Sequence, residues 1–383
     1  MRRLRVGVIY GGRSGEHEVS LASAAAVFAN LDRERYEPIA IRIEKDGRWT
    51  LADRPPTALA AADVIEQARL EGARAVRPSR EVHLLARPST DTLLAIDRKD
   101  EDASKAVLTG LGLDLVFPVL HGPYGEDGTI QGLLELANVP YVGCGVLASA
   151  VGMDKAVMKV LFAARGLRVS PAVTITGAEW AAGRAGIEAR VAASLGFPVF
   201  VKPANLGSSV GISKAHDAGE LGPAVDLAAS FDRKIVIERA VLDAREIEVG
   251  VLGNDEPEAS MPREIIPSRE FYDYEAKYLD AASRTVIPAE LDADLVAEVQ
   301  RQAIEAFRAI DGAGMARVDF LITRGTRDII VNEVNTIPGF TTISMFSKMW
   351  EASGVPYGAL LDRLIALARE RHAAKQQLRT SFL

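Results

Sequence analysis

Short runs of apolar residues alternate along the chain with stretches of helical periodicity, a pattern typical of α/β proteins. The apolar run at residues 6–10 predicts a buried strand, residues 11–15 a loop, and the alanine-rich stretch 18–31 a helix. Further strands are predicted at residues 38–43, 113–120, 140–142, 197–202, 234–238 and 246–252. Further helices are predicted at residues 127–136, 148–165 and 357–372 or beyond.

The segment 45–111 is the hardest part to interpret, because it mixes charges with several prolines. It contains one candidate strand, at residues 82–85. We expect this segment to be an elaboration on the first domain.

Two segments near the carboxyl-terminal end, residues 317–322 and 331–335, alternate polar with apolar positions. In a strand, side chains at i and i+2 share a face. Arg317 and Asp319 therefore point one way, while the apolar residues that alternate with them form the opposite, buried face. Residues 324–326 predict a turn between the two strands.

The polar face of this hairpin suits a metal ion that lies beside phosphates. Asp319, Glu333 and Asn335 offer two carboxylates and an amide oxygen, which are hard ligands of the kind that Mg²⁺ takes. Arg317 next to them would neutralise an anion during its transfer. The alternative is a hairpin whose polar face is merely solvated.

The composition is that of an ordinary globular protein of two or three domains: 48% of the 383 residues are apolar and 25% are charged. A net charge of -7 argues against a nucleic-acid surface. Cys144 is the only cysteine, which excludes an internal disulfide and fits a reducing compartment. No stretch approaches the roughly 20 apolar residues that span a bilayer. We expect a soluble cytoplasmic protein without nucleic-acid or membrane partners.

Three glycine-bearing loops compete as nucleotide sites, at residues 11–15, 143–148 and 202–211. No Gly-x-x-x-x-Gly-Lys-Ser/Thr sequence occurs, so this is not a P-loop protein. The loop 143–148 superficially fits a dinucleotide fingerprint but lacks the acidic ribose partner. In the third loop, Lys202 ends a strand before small residues whose backbone N–H groups and hydroxyls can fold over a polyphosphate. Together with the hairpin, this loop predicts a two-part ATP site, in which the loop covers the phosphates and the hairpin holds Mg²⁺. The alternative is that the loop is a bare glycine-serine turn.

Six motifs occur in one order along nearly the whole chain. They are residues 11–20, 121–128, 153–155, the loop that begins at Lys202, residues 271–278, and the strands and turn from Arg317 to Gly339. In these motifs the chain resembles the D-alanine:D-alanine ligase family of the ATP-grasp superfamily. The resemblance implies an α/β, three-domain ATP-grasp fold with an N-terminal Rossmann-like domain.

The resemblance also implies a division of labour among the domains. Residues 1–143 would form the N-terminal domain for the first substrate, and residues 144–242 the central ATP-grasp domain. Residues 243–383 would form the C-terminal ATP-grasp domain, with the metal and second-substrate sites. ATP would lie between the second and third domains.

For the nucleotide, the resemblance assigns three lysines to the phosphates, two hydroxyls to the phosphate loop and two carboxylates to the nucleoside. The lysines are Lys155, Lys202 and Lys277, and the hydroxyls are those of Ser208 and Ser209. Glu238 would hold adenine and Glu246 the ribose. The stretch from Glu238 to Glu246 is one residue longer than in some relatives, so Glu248 is an alternative ribose ligand. Asp319, Glu333 and Asn335 would hold two Mg²⁺ ions, for which Mn²⁺ could substitute.

For the amino acids, Glu16 matches the residue that receives the ammonium group of the first D-alanine, and His121 lies near the same subsite. Glu16, Ser208 and Tyr278 resemble a hydrogen-bonded trio that closes the site. Arg317 and the backbone N–H of Gly339 match the groups that stabilise a tetrahedral oxyanion. Ser344 and Met345 match the positions that meet the carboxylate of the second substrate, the latter through its backbone.

The reaction implied is ligation of two D-alanine molecules through a D-alanyl phosphate, for peptidoglycan precursors. Residues 272–278 keep the pattern of dipeptide-forming ligases, which favours D-alanine as the nucleophile. A depsipeptide ligase or another amide-forming ATP-grasp enzyme is the first alternative. The second is an ATP-binding module without catalysis, against which the retained Arg317 argues. The family suggests a homodimer.

Overall fold

The computed structural model describes residues 2–57, 63–64, 80–98, 106–266, 284–341 and 344–379. Within these ranges the strands form three sheets. The predicted loop 271–278, with Lys277 and Tyr278, lies outside the described residues. No helix in the described ranges is long and apolar enough to cross a membrane.

The first sheet has seven strands in the order β6-β5-β4-β3-β2-β1-β7. Its strands are β1 (Leu4–Gly11), β2 (Tyr36–Ile43), β3 (Trp49–Leu51), β4 (Arg80–Leu84), β5 (Leu93–Arg98), β6 (Ala106–Leu111) and β7 (Leu115–Val119). Only β2, β1 and β7 are parallel, and they form the Rossmann-like part together with helix α1 (His17–Asn30). The described strands of the segment 45–111, β3 to β6, extend this sheet as an antiparallel meander, and β4 confirms the candidate strand.

The second sheet is antiparallel, in the order β10-β9-β11-β8. Its strands are β8 (Ala172–Thr176), β9 (Val199–Pro203), β10 (Ser213–Ala215) and β11 (Lys234–Arg239). The loop that follows Lys202 connects β9 to β10, at the edge of this sheet.

The third sheet has six strands and contains the hairpin that the polar-apolar alternation predicts. Its strands are β12 (Ala244–Gly253), β13 (Glu258–Ala259), β14 (Arg263–Ile266), β15 (Arg284–Val286), β16 (Gly314–Thr323) and β17 (Ile329–Asn335). Val318, Phe320 and Ile322 are buried as predicted, and the turn at residues 324–326 joins β16 to β17.

The remaining helices cover these sheets. They are α2 (Thr129–Ala137), α3 (Val146–Met153), α4 (Lys155–Ala164), α5 (Gly177–Ser194), α6 (Ala218–Ala229), α7 (Ala293–Ala309), α8 (Met345–Ala352) and α9 (Tyr357–Gln376). One core joins the first sheet to α8 and α9, since Phe117 packs edge-on against Phe340 at 5.6 Å and Phe340 packs against Phe346.

Two predicted elements differ in the structure. The single helix expected at residues 148–165 is two helices, because Asp154 leaves helical geometry and caps α4 by accepting from the N–H groups of Ala156 and Val157. The strand expected at residues 140–142 is only an isolated bridge between Tyr141 and Val116. The break at Asp154 makes Lys155 the first residue of α4.

The loop 143–148 is occupied by protein contacts rather than shaped for a dinucleotide. Arg371 of α9 donates to the carbonyl oxygen of Gly143, and its guanidinium stacks on the ring of Tyr141. Cys144 is buried with its thiol 3.4 Å from the carbonyl oxygen of Met315. This packing removes support for a nicotinamide nucleotide site here.

Candidate active site

A cavity of about 560 Å³ lies where the three sheets meet. Every predicted site residue within the described ranges lines it. These residues are Glu16, His121, Lys155, Lys202, Ser208, Ser209, Glu238, Glu246, Arg317, Asp319, Glu333, Asn335, Gly339, Ser344 and Met345. Positions separated by more than 300 residues in sequence thus meet in one concave site, as binding sites commonly do.

Arg317 and Asp319 form a two-pronged ion pair on the cavity side of β16. The Nε and Nη2 atoms of Arg317 each donate to one carboxylate oxygen of Asp319, both at 2.7 Å. Burial raises the pKa of Asp319 to about 6, an effect that the Arg317 guanidinium opposes and the charge of Glu248 reinforces. The site therefore carries buried negative charge that a bound cation would stabilise.

The donor set on β16 and β17 fits Mg²⁺. Asp319 and Glu333 stand opposite each other across the hairpin, and Asn335 stands opposite Arg317. Within the described ranges no three His, Cys, Asp or Glu side chains are placed to hold a metal. The expected set of two carboxylates and one amide suits Mg²⁺, because this ion usually takes only one or two carboxylates and completes its shell with phosphates and water.

The loop after β9 is held over the cavity by lysine and serine contacts. Lys155 donates from Nζ to the carbonyl oxygen of Leu206 at 2.6 Å, and its Nζ lies 3.7 Å from Glu333. Ser208 and Ser209 have φ angles of 49° and 59°, in the left-handed region. Successive N–H groups in such a turn can form an anion-binding concavity. The hydroxyl of Ser208 donates to the carboxylate of Glu16, just before α1.

Glu238 lies between two lysines. Lys202 donates to one of its carboxylate oxygens at 2.8 Å, and Lys159 of α4 lies 3.2 Å from the other. Burial opposes ionisation of Glu238, but the two lysines outweigh it and lower its pKa to about 2. Lys159 is absent from the sequence prediction. Its position four residues after Lys155, on the same helix face, was the available signal.

The predicted first-substrate subsite contains a second carboxylate that the sequence analysis did not single out. Glu126 is buried, and accepts a hydrogen bond from the N–H of Gly122 at 2.8 Å. Burial raises its pKa, and the negative charge of Glu16 adds to the rise. His121 is also buried, which lowers its pKa, and its Nε2 lies 3.1 Å from the hydroxyl of Ser23. Ser23 in turn accepts from the N–H of Phe340.

The turn after β17 forms the opposite wall. Ser344, which precedes α8, donates from its hydroxyl to the carbonyl oxygen of Gly339. Met345 begins α8 beside it. This contact fixes the backbone at Gly339, whose N–H the sequence analysis assigns to the oxyanion.

The two candidate ribose ligands differ in their surroundings. Glu246 and Glu248 both lie on the cavity face of β12. Glu248 is bound by Arg263 at 2.9 Å and lies 3.4 Å from Arg317. These contacts join Glu248 to two arginines of the third sheet.

Two family models match the chain. Residues 5–144 match the model described as D-ala D-ala ligase N-terminus, and residues 161–366 match the model described as D-ala D-ala ligase C-terminus. The chain is 48% identical over 384 residues to the D-alanine--D-alanine ligase of Heliobacterium modesticaldum, covering 100% of this chain and 99% of that protein. It is 46% identical to the D-alanine--D-alanine ligase of Geobacillus thermodenitrificans, with 99% of each chain covered.

Solved structures give the same picture of the fold. The D-alanine-D-alanine ligase of Coxiella burnetii matches with a TM-score of 0.78 and 35% identity, over 98% of this chain and 97% of that one. The VanG D-Ala:D-Ser ligase of Enterococcus faecalis matches with a TM-score of 0.80 and 34% identity, over 96% of this chain and 100% of that one.

Proposed function

This chain belongs to the D-alanine–D-alanine ligase family and has its ATP-grasp fold, and from that premise we propose how its cavity works. It joins two D-alanine molecules into D-alanyl-D-alanine with ATP, for peptidoglycan precursors. The observation that carries the proposal is that one cavity gathers the predicted phosphate, metal and amino-acid residues.

In the first step, a carboxylate oxygen of the first D-alanine attacks the γ-phosphorus of ATP, ADP leaves, and D-alanyl phosphate forms. Lys155 and Lys202 bind the phosphates from the floor of the cavity, and Lys277 joins them from the loop 271–278. The N–H groups and hydroxyls around Ser208 and Ser209 cover the phosphates and exclude water from the acyl phosphate. Such positioning and charge stabilisation supply most of the catalysis of phosphoryl transfer.

The nucleotide and metal assignments follow from the same cavity face. Glu238 lies in the adenine segment and Glu246 binds the ribose. Asp319, Glu333 and Asn335 would hold two Mg²⁺ ions, for which Mn²⁺ could substitute. When bound, the ions would supply positive charge that offsets the negative charge of the phosphates.

In the second step, the amine of the second D-alanine attacks the acyl carbon, and the C–O bond to phosphate breaks. Arg317 and the N–H of Gly339 stabilise the oxyanion. The departing inorganic phosphate takes up the proton that the amine loses. Ser344 and the backbone of Met345 hold the carboxylate of the second substrate.

The first substrate is held on the side of the cavity opposite to Ser344 and Met345. Glu16 receives the ammonium group of the first D-alanine, with His121 beside it. Glu16, Ser208 and Tyr278 close the site as a hydrogen-bonded trio. Buried and uncharged, His121 can contribute by shape and hydrogen bonding without adding positive charge next to an ammonium ion.

The domain division proposed is 1–143, 144–242 and 243–383, which assigns one sheet to each domain. We also place the enzyme in the cytoplasm, where ATP is available, and assign it as a homodimer. Exposed apolar side chains on three adjacent helices support an interface: Leu136 on α2, Leu147 on α3 and Val160 on α4 are 63%, 59% and 68% exposed. Neighbouring exposed apolar groups often mark association surfaces.

A D-alanine:D-serine ligase is a second candidate, because the VanG structure matches with a TM-score of 0.80. The curated relatives at 46–48% identity carry the D-alanine name instead, and they favour the first reading.

Transfer of oxygen from substrate to phosphate tests the mechanism. With D-alanine labelled with ¹⁸O in its carboxylate, one labelled oxygen is expected in the inorganic phosphate. The bridging oxygen of the acyl phosphate comes from the carboxylate, and it stays on phosphorus when the amine displaces phosphate from the acyl carbon. Unlabelled phosphate released together with dipeptide would refute the acyl phosphate route.

A further inference from the structure

Four charged residues form a row across the third sheet. In the strand register, Glu248 of β12 stands opposite Arg263 of β14 on one side and opposite Asp319 of β16 on the other. Asp319 stands opposite Glu333 of β17. Since directly opposite residues project on the same face of a sheet, the row faces the cavity, and all four residues line it.

Hydrogen bonds and ion pairs connect this row to Arg317. Nη1 of Arg263 donates to one carboxylate oxygen of Glu248 at 2.9 Å. The other oxygen of Glu248 lies 3.4 Å from Nε of Arg317, which also binds Asp319. The side chains of Arg263 and Glu248 are 4% and 7% exposed, so the connection is buried.

Charge balance explains why Arg263 matters to Arg317. Arg263, Arg317 and Lys155 together face three carboxylates, those of Glu248, Asp319 and Glu333, so loss of Arg263 leaves one carboxylate in excess. A buried carboxylate without a partner is strongly unfavourable. If Arg263 were absent, Glu248 would lose its donor at 2.9 Å, and its carboxylate would draw the Arg317 guanidinium toward β12, away from the reacting carbonyl.

We propose that Arg263 is a positioning residue for catalysis: by binding Glu248 it holds the carboxylate that orients Arg317 toward the oxyanion. Arg263 itself touches no reacting atom in this scheme. The proposal rests on the function assigned to the cavity above, and it adds a residue that neither the family motifs nor the substrate assignments include.

A matched pair of variants tests the role of Arg263 on the same two strands. Arg263→Met removes the ion pair to Glu248. Arg245→Met removes the ion pair between Arg245 and Glu264, which also joins β12 to β14. Glu264 directly follows Arg263 in β14, so its side chain projects from the sheet face opposite to the cavity. With the full chain, MgATP and D-alanine, we expect Arg263→Met to lower kcat by about 10- to 100-fold, as loss of supporting residues typically does, with KM for ATP little changed. Arg245→Met is expected to keep kcat.

Two further variants separate positioning from folding. Arg263→Lys keeps the charge but loses the planar fork, so it should recover part of kcat. In a Glu248→Gln background, Arg263→Met should lower kcat no further, because the group through which Arg263 acts is already gone. This double variant also leaves no unpaired charge, so it folds even if Arg263→Met alone does not.

The outcomes distinguish the two claims. Full kcat in Arg263→Met, or equal losses from Arg263→Met with and without Glu248→Gln, would overturn the role of Arg263 while leaving the ligase assignment intact. Absence of any dipeptide from the unaltered chain would instead contradict the function itself.

Discussion

The hydroxyl of Ser208 donates a hydrogen bond to the carboxylate of Glu16, across 192 positions of sequence. This contact joins the phosphate loop of the second sheet to the start of α1 on the first. Glu16 is assigned to the ammonium of the first substrate, and Ser208 to the phosphates that react with the same molecule. We therefore expect the contact to couple closure of the loop to occupation of the substrate site.

Ser208→Ala tests this coupling. Hydrogen bonds to charged groups contribute about 1.5–3 kcal/mol, so kcat/KM for D-alanine is expected to fall roughly 10- to 100-fold. Ser194→Ala is the control, since the Ser194 hydroxyl is exposed and bonds only within its own helix, to the carbonyl of Arg190. Equal steady-state kinetics for the two variants would count against the coupling.

Arg317→Met removes the proposed oxyanion donor from the centre of the cavity. Loss of one such donor typically lowers kcat by about 100- to 1000-fold, and binding of ATP should persist. Dipeptide formation and nucleotide binding are measured separately. The control is Arg324→Met. Arg324 lies in the β16–β17 turn and forms an exposed ion pair with Asp243, so this variant should retain activity. A variant of Arg317 with normal turnover would remove this residue from the mechanism.

The low pKa of Glu238 predicts how the stability of the folded protein changes with acid. Its two lysine partners lower its pKa from the usual value of 4.5 to about 2 in the folded protein, so its contribution to stability is present above pH 4.5 and is lost as the pH falls toward 2. The shift corresponds to about 3 kcal/mol. The difference in free energy of unfolding between the unaltered chain and Glu238→Gln should therefore become smaller as the pH is lowered from 6 to 3, as measured by thermal unfolding.

The control for the acid response is Glu256→Gln, at an exposed position. It should show no such decrease in the difference. A difference for Glu238→Gln that stays constant over the same pH range would contradict the assigned pairing with Lys159 and Lys202.

The proposed dimer predicts an effect of charge at the exposed apolar positions Leu136, Leu147 and Val160. Leu147→Glu with Val160→Glu should convert a dimer to a monomer in sedimentation, because burying two carboxylates at an interface is unfavourable. Leu378→Glu, at another exposed apolar position of 69% exposure, should leave the mass unchanged. A protein that is monomeric without any substitution would refute the dimer.

The sequence predicted those parts of the fold that depend on local period. The β16–β17 hairpin follows from alternation alone, and the buried face of Val318 and Phe320 agrees with it. The meander between β2 and β7 has strands as short as the three residues of β3, and non-local pairing decides their existence. The break at Asp154 depends on a cap that the helical periodicity of residues 148–165 conceals.

The sequence motifs predicted most site residues, but they did not predict the contacts between them. Motif residues such as Lys202 and Arg317 were predictable, and they line one cavity. Lys159 was accessible through its i+4 relation to Lys155, but the pattern alone did not identify Glu238 as its partner. The pairing of Arg263 with Glu248 depends on the register between two strands, which the sequence does not reveal.

Product analysis tests the central claim most directly. The full chain is incubated with MgATP and equal concentrations of D-alanine, D-serine and D-lactate, and released phosphate is compared with products separated by mass. The account predicts D-alanyl-D-alanine as the main product, one molecule for each phosphate released. D-alanyl-D-serine or D-alanyl-D-lactate as the main product, or ATP binding without any ligated product, would contradict it.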